Sequence, residues 1–258
     1  MAGQLSELER LQIQSRVWEP AGRALLERIG LRPLRAIDIG CGALGWLRVL
    51  SQWLGDRGTV LGTDVDERLL AVARTFAETE RLTNVEVARD DLFDSQLPAA
   101  SFDLVHARFQ IAPLGRGEEQ VASYRRLVAP GGVIVLEDPD TSSWRFHPES
   151  KAVQRLTALI KEAFRTAGGD LDAGVREVDL LRGLGAQPEV RAHIEALPPG
   201  HGYLRLPLQF ATSLRPRLVQ LISPAELDEL VAEAERDLQR PGVWGTTFTL
   251  IQSWATFA

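Results

Sequence analysis

The segment Arg35-Ala36-Ile37-Asp38-Ile39-Gly40-Cys41-Gly42-Ala43-Leu44-Gly45-Trp46 constrains the fold of this chain more than any other. A short apolar run ends in a glycine-rich turn and passes straight into a helical pattern. Backbone N–H groups and a helix N-terminus therefore face whatever binds there. Asp38 adds a carboxylate at the C-terminal end of the strand. A turn built only for phosphate gains little from a negative charge, so a ligand with a positive end is the better match.

The same alternation continues downstream. Residues 5–29 read as helix, with Leu5, Leu8, Trp18, Ala21, Leu25 and Leu26 apolar and Pro20 expected to break it in two. After strand Ala36–Ile39 and a helix carrying Leu47, Leu50 and Leu54, a Gly/Asp loop leads to strand Thr59–Thr63, closed by Asp64. Asp66 opens a helix with Leu69, Val72, Ala73 and Phe76 on one stripe. Strands follow at Val85–Ala88 and Phe102–Ala107, then a helix over Glu118–Val128, the turn Ala129-Pro130-Gly131-Gly132 and strand Val133–Glu137. Strands alternating with helices predict a parallel, doubly wound α/β sheet.

Beyond residue 138 the spacing predicts helices at 149–167 and 174–184, a strand at Glu189–Leu197 and a final strand at Thr246–Phe257. Ser223-Pro224-Ala225-Glu226 is a capping box opening a further helix. The expected organisation is one domain over 1–258: an N-terminal helical cap (1–30), a ligand-binding core (35–138), a cap insertion and C-terminal part (139–245) and a last strand (246–257).

Composition narrows the partners. The formal net charge is −6 and no basic block is visible, which argues against nucleic acid. The single cysteine can make no internal disulfide and suits a reducing compartment. The charged N-terminus lacks the apolar centre of a signal peptide, and no apolar run approaches the ~18 residues of a membrane span. A cytoplasmic protein without membrane contact is expected; oligomeric state is unreadable.

Gly40, Gly42 and Gly45 fit G-x-G-x-x-G, and Asp64 follows at the distance of a ribose-binding acid, which alone would fit an NAD(P) site. Further motifs turn the reading. Asp38-Ile39-Gly40-Cys41-Gly42, Gly62-Thr63-Asp64, Arg89-Asp90-Asp91-Leu92 with Ser101-Phe102-Asp103-Leu104-Val105, and Leu127-Val128-Ala129-Pro130-Gly131-Gly132-Val133 occur in order. Together, over roughly residues 35–138, they resemble the class I S-adenosylmethionine (SAM)-dependent methyltransferases. The resemblance implies a Rossmann-like, seven-stranded, mostly parallel sheet with an antiparallel last strand and a helical cap, and SAM as cofactor. The chain departs from the family in having Leu44 where many members place a third glycine, with Gly45 next. After strand four it reads His106-Ala107-Arg108-Phe109-Gln110 rather than Asn-Pro-Pro-Tyr, which points to a small-molecule acceptor.

On this resemblance Gly40 and Gly42 admit the methionyl part of SAM. Asp38 holds its ammonium group, directly or through water, or else caps the loop's N–H groups. Asp64 accepts the ribose hydroxyls, Asp66 being available to cap the helix, and Asp90 or Asp91 meets the adenine amine. Arg108 binds the SAM carboxylate or a substrate carboxylate, or forms a surface salt bridge. Cys41 fills space.

Methyl transfer is mainly positioning, and a base is needed only to unmask a nucleophile. The candidates are His147, in a polar loop leaving strand five that also offers Glu137, Asp138 and Asp140, and His201, in a Pro/Gly loop able to close over the site. His106 and His193 lie inside predicted strands and read as packed or surface imidazoles. Trp18, Trp144, Phe146 and Tyr203 are candidates for an aromatic lid, and the segment Ser15–Pro20 for a cover over the cofactor. No metal is expected. The predicted activity is methyl transfer from SAM to a small organic acceptor, O-methylation ahead of C- or N-methylation. The alternatives are a SAM-binding isomerase or dehydratase on the same fold, or an NAD(P)-dependent oxidoreductase.

Overall fold

Apolar runs bounded by glycine turns form the strands of the computed structural model, which describes residues 2–32 and 34–258, with backbone alone at 2–10. The first half runs α1 (Ala2–Ile29), β1 (Arg35–Ile39), α2 (Leu47–Leu54), β2 (Thr59–Asp64), α3 (Glu67–Thr79), β3 (Val85–Arg89), β4 (Phe102–Arg108), the one-turn α4 (Ile111–Leu114), α5 (Gly117–Leu127) and β5 (Val128–Asp140). The second half runs β6 (Arg145–His147), α6 (Lys151–Arg165), α7 (Glu177–Gly183), β7 (Glu189–His193) and β8 (Ala196–Leu197). It closes with α8 (Leu206–Ser213), α9 (Arg215–Leu218), α10 (Pro224–Leu238), β9 (Trp244–Thr246) and β10 (Thr249–Thr256).

The main sheet has seven strands in the order β3-β2-β1-β4-β5-β10-β7. β1 through β5 pair in parallel, and β10 runs antiparallel to both β5 and β7. The last strand is thus antiparallel, as the resemblance implies, but it is inserted inside the sheet. Strand order reverses at β1 and β4, and the crevice beyond their carboxyl ends is where an open α/β sheet binds ligands. β4 and β5 are buried along most of their length, which is why their apolar runs do not alternate.

Four expectations change. Pro20 does not break α1, which is continuous through it; Trp18, Ala21, Leu25 and Leu26 are all buried, and tertiary burial of that face outweighs the lost backbone bond. The Leu5 and Leu8 side chains lie outside the described residues. The turn at 129–132 is absorbed into β5 as an irregularity, where the register with β4 shifts between Phe102 and Leu104 and Gly131 takes φ +78°.

The strand expected over Glu189–Leu197 splits, and so does the one over Thr246–Phe257. In each case one piece stays in the main sheet, while β8 and β9 join β6 in a second sheet of order β6-β9-β8. The cap is therefore not purely helical. The splits are locked by Thr247, whose N–H donates to Glu195 O at 3.0 Å and whose hydroxyl accepts the Glu195 N–H at 3.0 Å. α6 begins at a Ser150 cap on Val153 N–H (3.1 Å), and α7 follows a 3₁₀ turn. The capping box at Ser223 is present in full, with Glu226 N–H on its hydroxyl and the Glu226 carboxylate on its own N–H. Replacing this serine should cost about 1 kcal/mol; denaturant unfolding of Ser223→Ala checks it, with no change expected in ligand binding.

Candidate active site

The floor of the site is a line of buried polar side chains crossing four neighbouring strands. Asp38 on β1 accepts the Trp46 N–H through Oδ2 at 2.7 Å, and its Oδ1 lies 2.7 Å from His106 Nδ1 on β4. His106 Nε2 lies 3.2 Å from Glu137 on β5, and the Gln252 amide on β10 donates to the other Glu137 oxygen. The Trp46 ring stacks on the imidazole, centroids 3.7 Å apart and planes 14° apart. Burial pulls the His106 pKa down, but Asp38 and Glu137 outweigh it and the net direction is up. The histidine is held between two carboxylates, which favour its protonated form. Of the two roles read for Asp38, loop capping is visible in the structure, with one hydrogen-bond partner on each oxygen.

Gly40, Gly42 and Gly45 all take positive φ, at +64°, +56° and +43°. A Cβ on Gly45 would lie 2.2 Å from Asp38 Oδ2 and 2.7 Å from Cys41 O, so the glycine one residue past the family's usual place is demanded by the cap itself. At Gly42 nothing lies within 4 Å of where a Cβ would stand, and its N–H donates to Asp64 Oδ2 at 3.0 Å. Asp64 Oδ1 accepts the Asp66 N–H at 2.9 Å, while Asp66 caps α3 through Arg68 N–H at 2.9 Å. Asp64 is therefore free of the capping duty and sits half-buried against the loop. Burial, then Asp38 and Asp64, push the Cys41 thiol well above its ordinary pKa, so it is a spacer.

Above this loop lies a cavity of about 430 Å³. Asp38, Gly40, Gly42, Gly45 and Asp64 line one part of it; Leu11, Gln14 and Ser15 of α1 cover it. The rest is an aromatic wall centred on Phe248, which meets Trp18 at 5.1 Å, Phe109 at 5.7 Å, and Trp144 and Tyr203 each at 6.4 Å. Arg108 stands between the two parts: Nη2 donates to Gly45 O at 3.3 Å and the guanidinium lies 5.7 Å from the Phe109 ring centre. A larger cleft, about 1090 Å³, runs beside α5, α6 and α7, but it includes none of the glycine loop and its cations are paired, as in Lys161–Asp172 at 2.8 Å.

Several expected site residues lie elsewhere. His147 is on β6, stacked on Trp244 at 4.6 Å, and does not line the cavity, because the segment after β5 turns into the small sheet instead of over the sheet edge. His201 also stays out; its Nδ1 accepts Tyr203 N–H at 3.2 Å, and that turn sends Tyr203 inward in its place. Neither Asp90 nor Asp91 is among the lining residues: Asp91 caps a 3₁₀ turn through Phe93 N–H at 3.0 Å, and Asp90 accepts Gln96 N–H at 3.4 Å. Glu137 and Asp138 are buried within β5, and Asp140 caps the turn that follows it. Of the proposed lid, Trp144 and Tyr203 line the cavity, whereas Trp18 and Phe146 pack behind it.

The sequence reading missed His106 as part of the floor, Gln110, which donates to Gly40 O at 3.2 Å, and the wall residues Phe109, Phe210 and Phe248. Register offers a signal for His106: it pairs directly opposite Asp38 across β1 and β4. Below the floor, Asp138 accepts the Ala112 and Ile111 N–H groups at 2.8 and 3.2 Å, yet burial raises its pKa to about 7. Burial also raises Glu177 well above its ordinary value.

Residues 36–132 match the family model described as a methyltransferase domain. The chain is 33% identical over 123 residues to nocamycin O-methyltransferase of Saccharothrix syringae, covering 47% of this chain and 44% of that protein. It is 30% identical over 104 residues to demethylmenaquinone methyltransferase of Bacillus cereus, covering 40% and 44%. The chain thus spans less than half the length of these curated relatives. In fold, it superposes on a SAM-dependent methyltransferase from Aquifex aeolicus with a TM-score of 0.52 at 20% identity, covering 71% of this chain and 90% of that one.

Two outcomes follow from the loop and its floor. Gly45→Ala should destabilise the protein by at least ~2 kcal/mol through strain and clash. Gly42→Ala should fold at a cost of about 1 kcal/mol yet weaken SAM binding by filling the cradle; unfolding and calorimetric titration separate the two. The second outcome concerns pH. His106, Asp138 and Glu177 all hold protons in the folded state that the unfolded chain gives up at lower pH. Stability should therefore fall as pH rises, from about 4 through about 7 for Asp138, from about 4 upward for Glu177 and above about 6.5 for His106, by a few kcal/mol in all. Urea unfolding at about pH 5 and pH 8 measures it, and a flat or rising profile contradicts the assignment.

Proposed function

We propose that this chain, whose residues 36–132 match the model of a methyltransferase domain, transfers a methyl group from SAM to a small, largely apolar organic acceptor, at oxygen. One observation carries the cofactor assignment: the Gly42 backbone is an open cradle beside the Asp64 carboxylate at the switch point of the sheet. These residues fit SAM. The bare backbone at Gly42 accepts close approach of the methionyl part, while the Gln110 side chain lies against Gly40, and each Asp64 oxygen keeps a lone pair beyond its backbone bond for a ribose hydroxyl. Asp90 and Asp91 follow β3 directly, with Asp90 N–H on Asp64 O at 3.2 Å, and one of the two serves the adenine end just outside the cavity lining.

When bound, SAM supplies a sulfonium methyl electrophile. The protein's residues then do three things. The Asp38–His106–Glu137 line keeps the loop shaped. The cover from α1 and the aromatic wall exclude water, so an acceptor oxygen meets the methyl group stripped of its solvent shell. Arg108 holds the junction between cofactor and acceptor. Acceptor size is consistent with the cavity volume, and the likeness to a protein named as an O-methyltransferase supports oxygen as the methylated atom.

Thermal unfolding with SAM, S-adenosylhomocysteine and NAD(P)H in parallel tests the cofactor. A ligand at ~100 times its Kd adds about 2.7 kcal/mol, worth several degrees; the SAM pair alone should shift the transition. Asp64→Ala should raise the SAM Kd about tenfold or more, a loss of at least ~1.5 kcal/mol from a charged hydrogen bond. Unchanged SAM affinity in that variant removes the ribose assignment.

A further inference from the structure

The cavity's own polar atoms define what its acceptor must carry. Among the described residues, the buried side-chain polar atoms on its lining that lack a hydrogen-bond partner are Arg108 Nη1 and Trp144 Nε1. Both are donors only. Among the described residues, the lining offers no histidine to match. Asp38 and Asp64, at the loop end of the cavity, hold each oxygen on a backbone N–H or on His106. The Cys41 thiol is pushed up by burial, and Tyr203 receives the Trp18 indole N–H at 3.2 Å and is a phenol rather than a base. Among the described residues, a nucleophile that needs deprotonation inside this cavity therefore finds no unengaged base.

From this rests an assignment that depends on the proposed methyl transfer: we propose that the acceptor is a flat organic acid already ionised at oxygen, a carboxylate or an acidic enol or phenol, whose anion is held by Arg108 with Trp144 as second donor. Its aromatic or otherwise planar body packs on Phe109, Phe210 and Phe248, whose rings form the apolar wall beside the guanidinium. The acceptor oxygen forms the new bond to the methyl carbon while the sulfur–methyl bond breaks and its electron pair stays on sulfur. No proton moves; an anion and a sulfonium become a neutral ester or ether and a neutral thioether. An apolar, water-poor cavity favours such a step because charge disappears along it. The guanidinium keeps the anion in a site that would otherwise reject it.

The test measures binding. The whole protein is saturated with S-adenosylhomocysteine and titrated with 2-naphthoate and with the neutral 2-naphthylmethanol, followed by calorimetry, in wild type, Arg108→Gln and Arg108→Lys. The expected result is that naphthoate binds at least about tenfold tighter than the alcohol. Arg108→Gln should erase that preference and Arg108→Lys restore part of it, with S-adenosylhomocysteine affinity little changed in all three. Equal binding of the two probes, absence of naphthoate binding, or a preference for the alcohol overturns the proposal. So does a loss in Arg108→Gln that falls on S-adenosylhomocysteine rather than on naphthoate, since the guanidinium then serves the cofactor's carboxylate. Failure of S-adenosylhomocysteine to bind wild type is a separate outcome that removes the methyltransferase reading beneath it. A kinetic companion uses acceptors of graded acidity: the rising limb of kcat/KM against pH should follow each acceptor's own ionisation, and one fixed limb shared by all acceptors would reveal an enzyme base and refute the idea.

Discussion

Everything at the mouth of the sheet depends on the Asp38 carboxylate. One oxygen caps the Trp46 N–H and so anchors the turn at the start of α2; the other is held by His106, which Glu137 holds in turn. Gly45 has no side chain because that carboxylate occupies the space, and Trp46 stacks on the imidazole that steadies it. An unpaired carboxylate at this depth would be strongly disfavoured, and the histidine ring bonded to both carboxylates is what makes the burial tolerable. The line spans β1, β4, β5 and β10, so the shape of one ligand loop is tied to the register of four strands.

The cavity divides its work between two chemistries. The loop side is polar and its groups are already hydrogen-bonded to one another, which holds the loop shape before a ligand arrives. The other side is aromatic, assembled from β4, the β5–β6 connection, α8 and the segment between β9 and β10, and it excludes water. Arg108 touches both through Gly45 O and Phe109. A cation at the boundary of a polar loop and an apolar wall is costly to leave unpaired once water is gone, and the proposed acceptor rests on that cost.

Much of this was legible from the residues. The order of elements through β5, the capping box at Ser223, Asp66 as helix cap, Cys41 as a spacer and the glycine loop over β1 all follow from local periodicity and turn chemistry. What was not legible lies mostly after residue 138, where local patterns compete with a second sheet. Apolar stretches at 189–197 and 246–257 carry no mark of where a strand leaves one sheet for another, and Thr247 with Glu195 decides it. That split is what turns Phe248 into the cavity and takes His147 away from it.

By itself, then, the sequence determined the class of sheet, the place of the ligand loop and the chemistry of the groups around it, because these rest on interactions within a few residues. Tertiary structure alone decided which side chains meet. His106 became part of the floor because β4 lies beside β1, and the aromatic wall formed because four distant segments converge on Phe248. Contacts between residues dozens to hundreds of positions apart leave no local trace in spacing or composition. Only the packed chain brings their hydrogen bonds and rings within reach of one another.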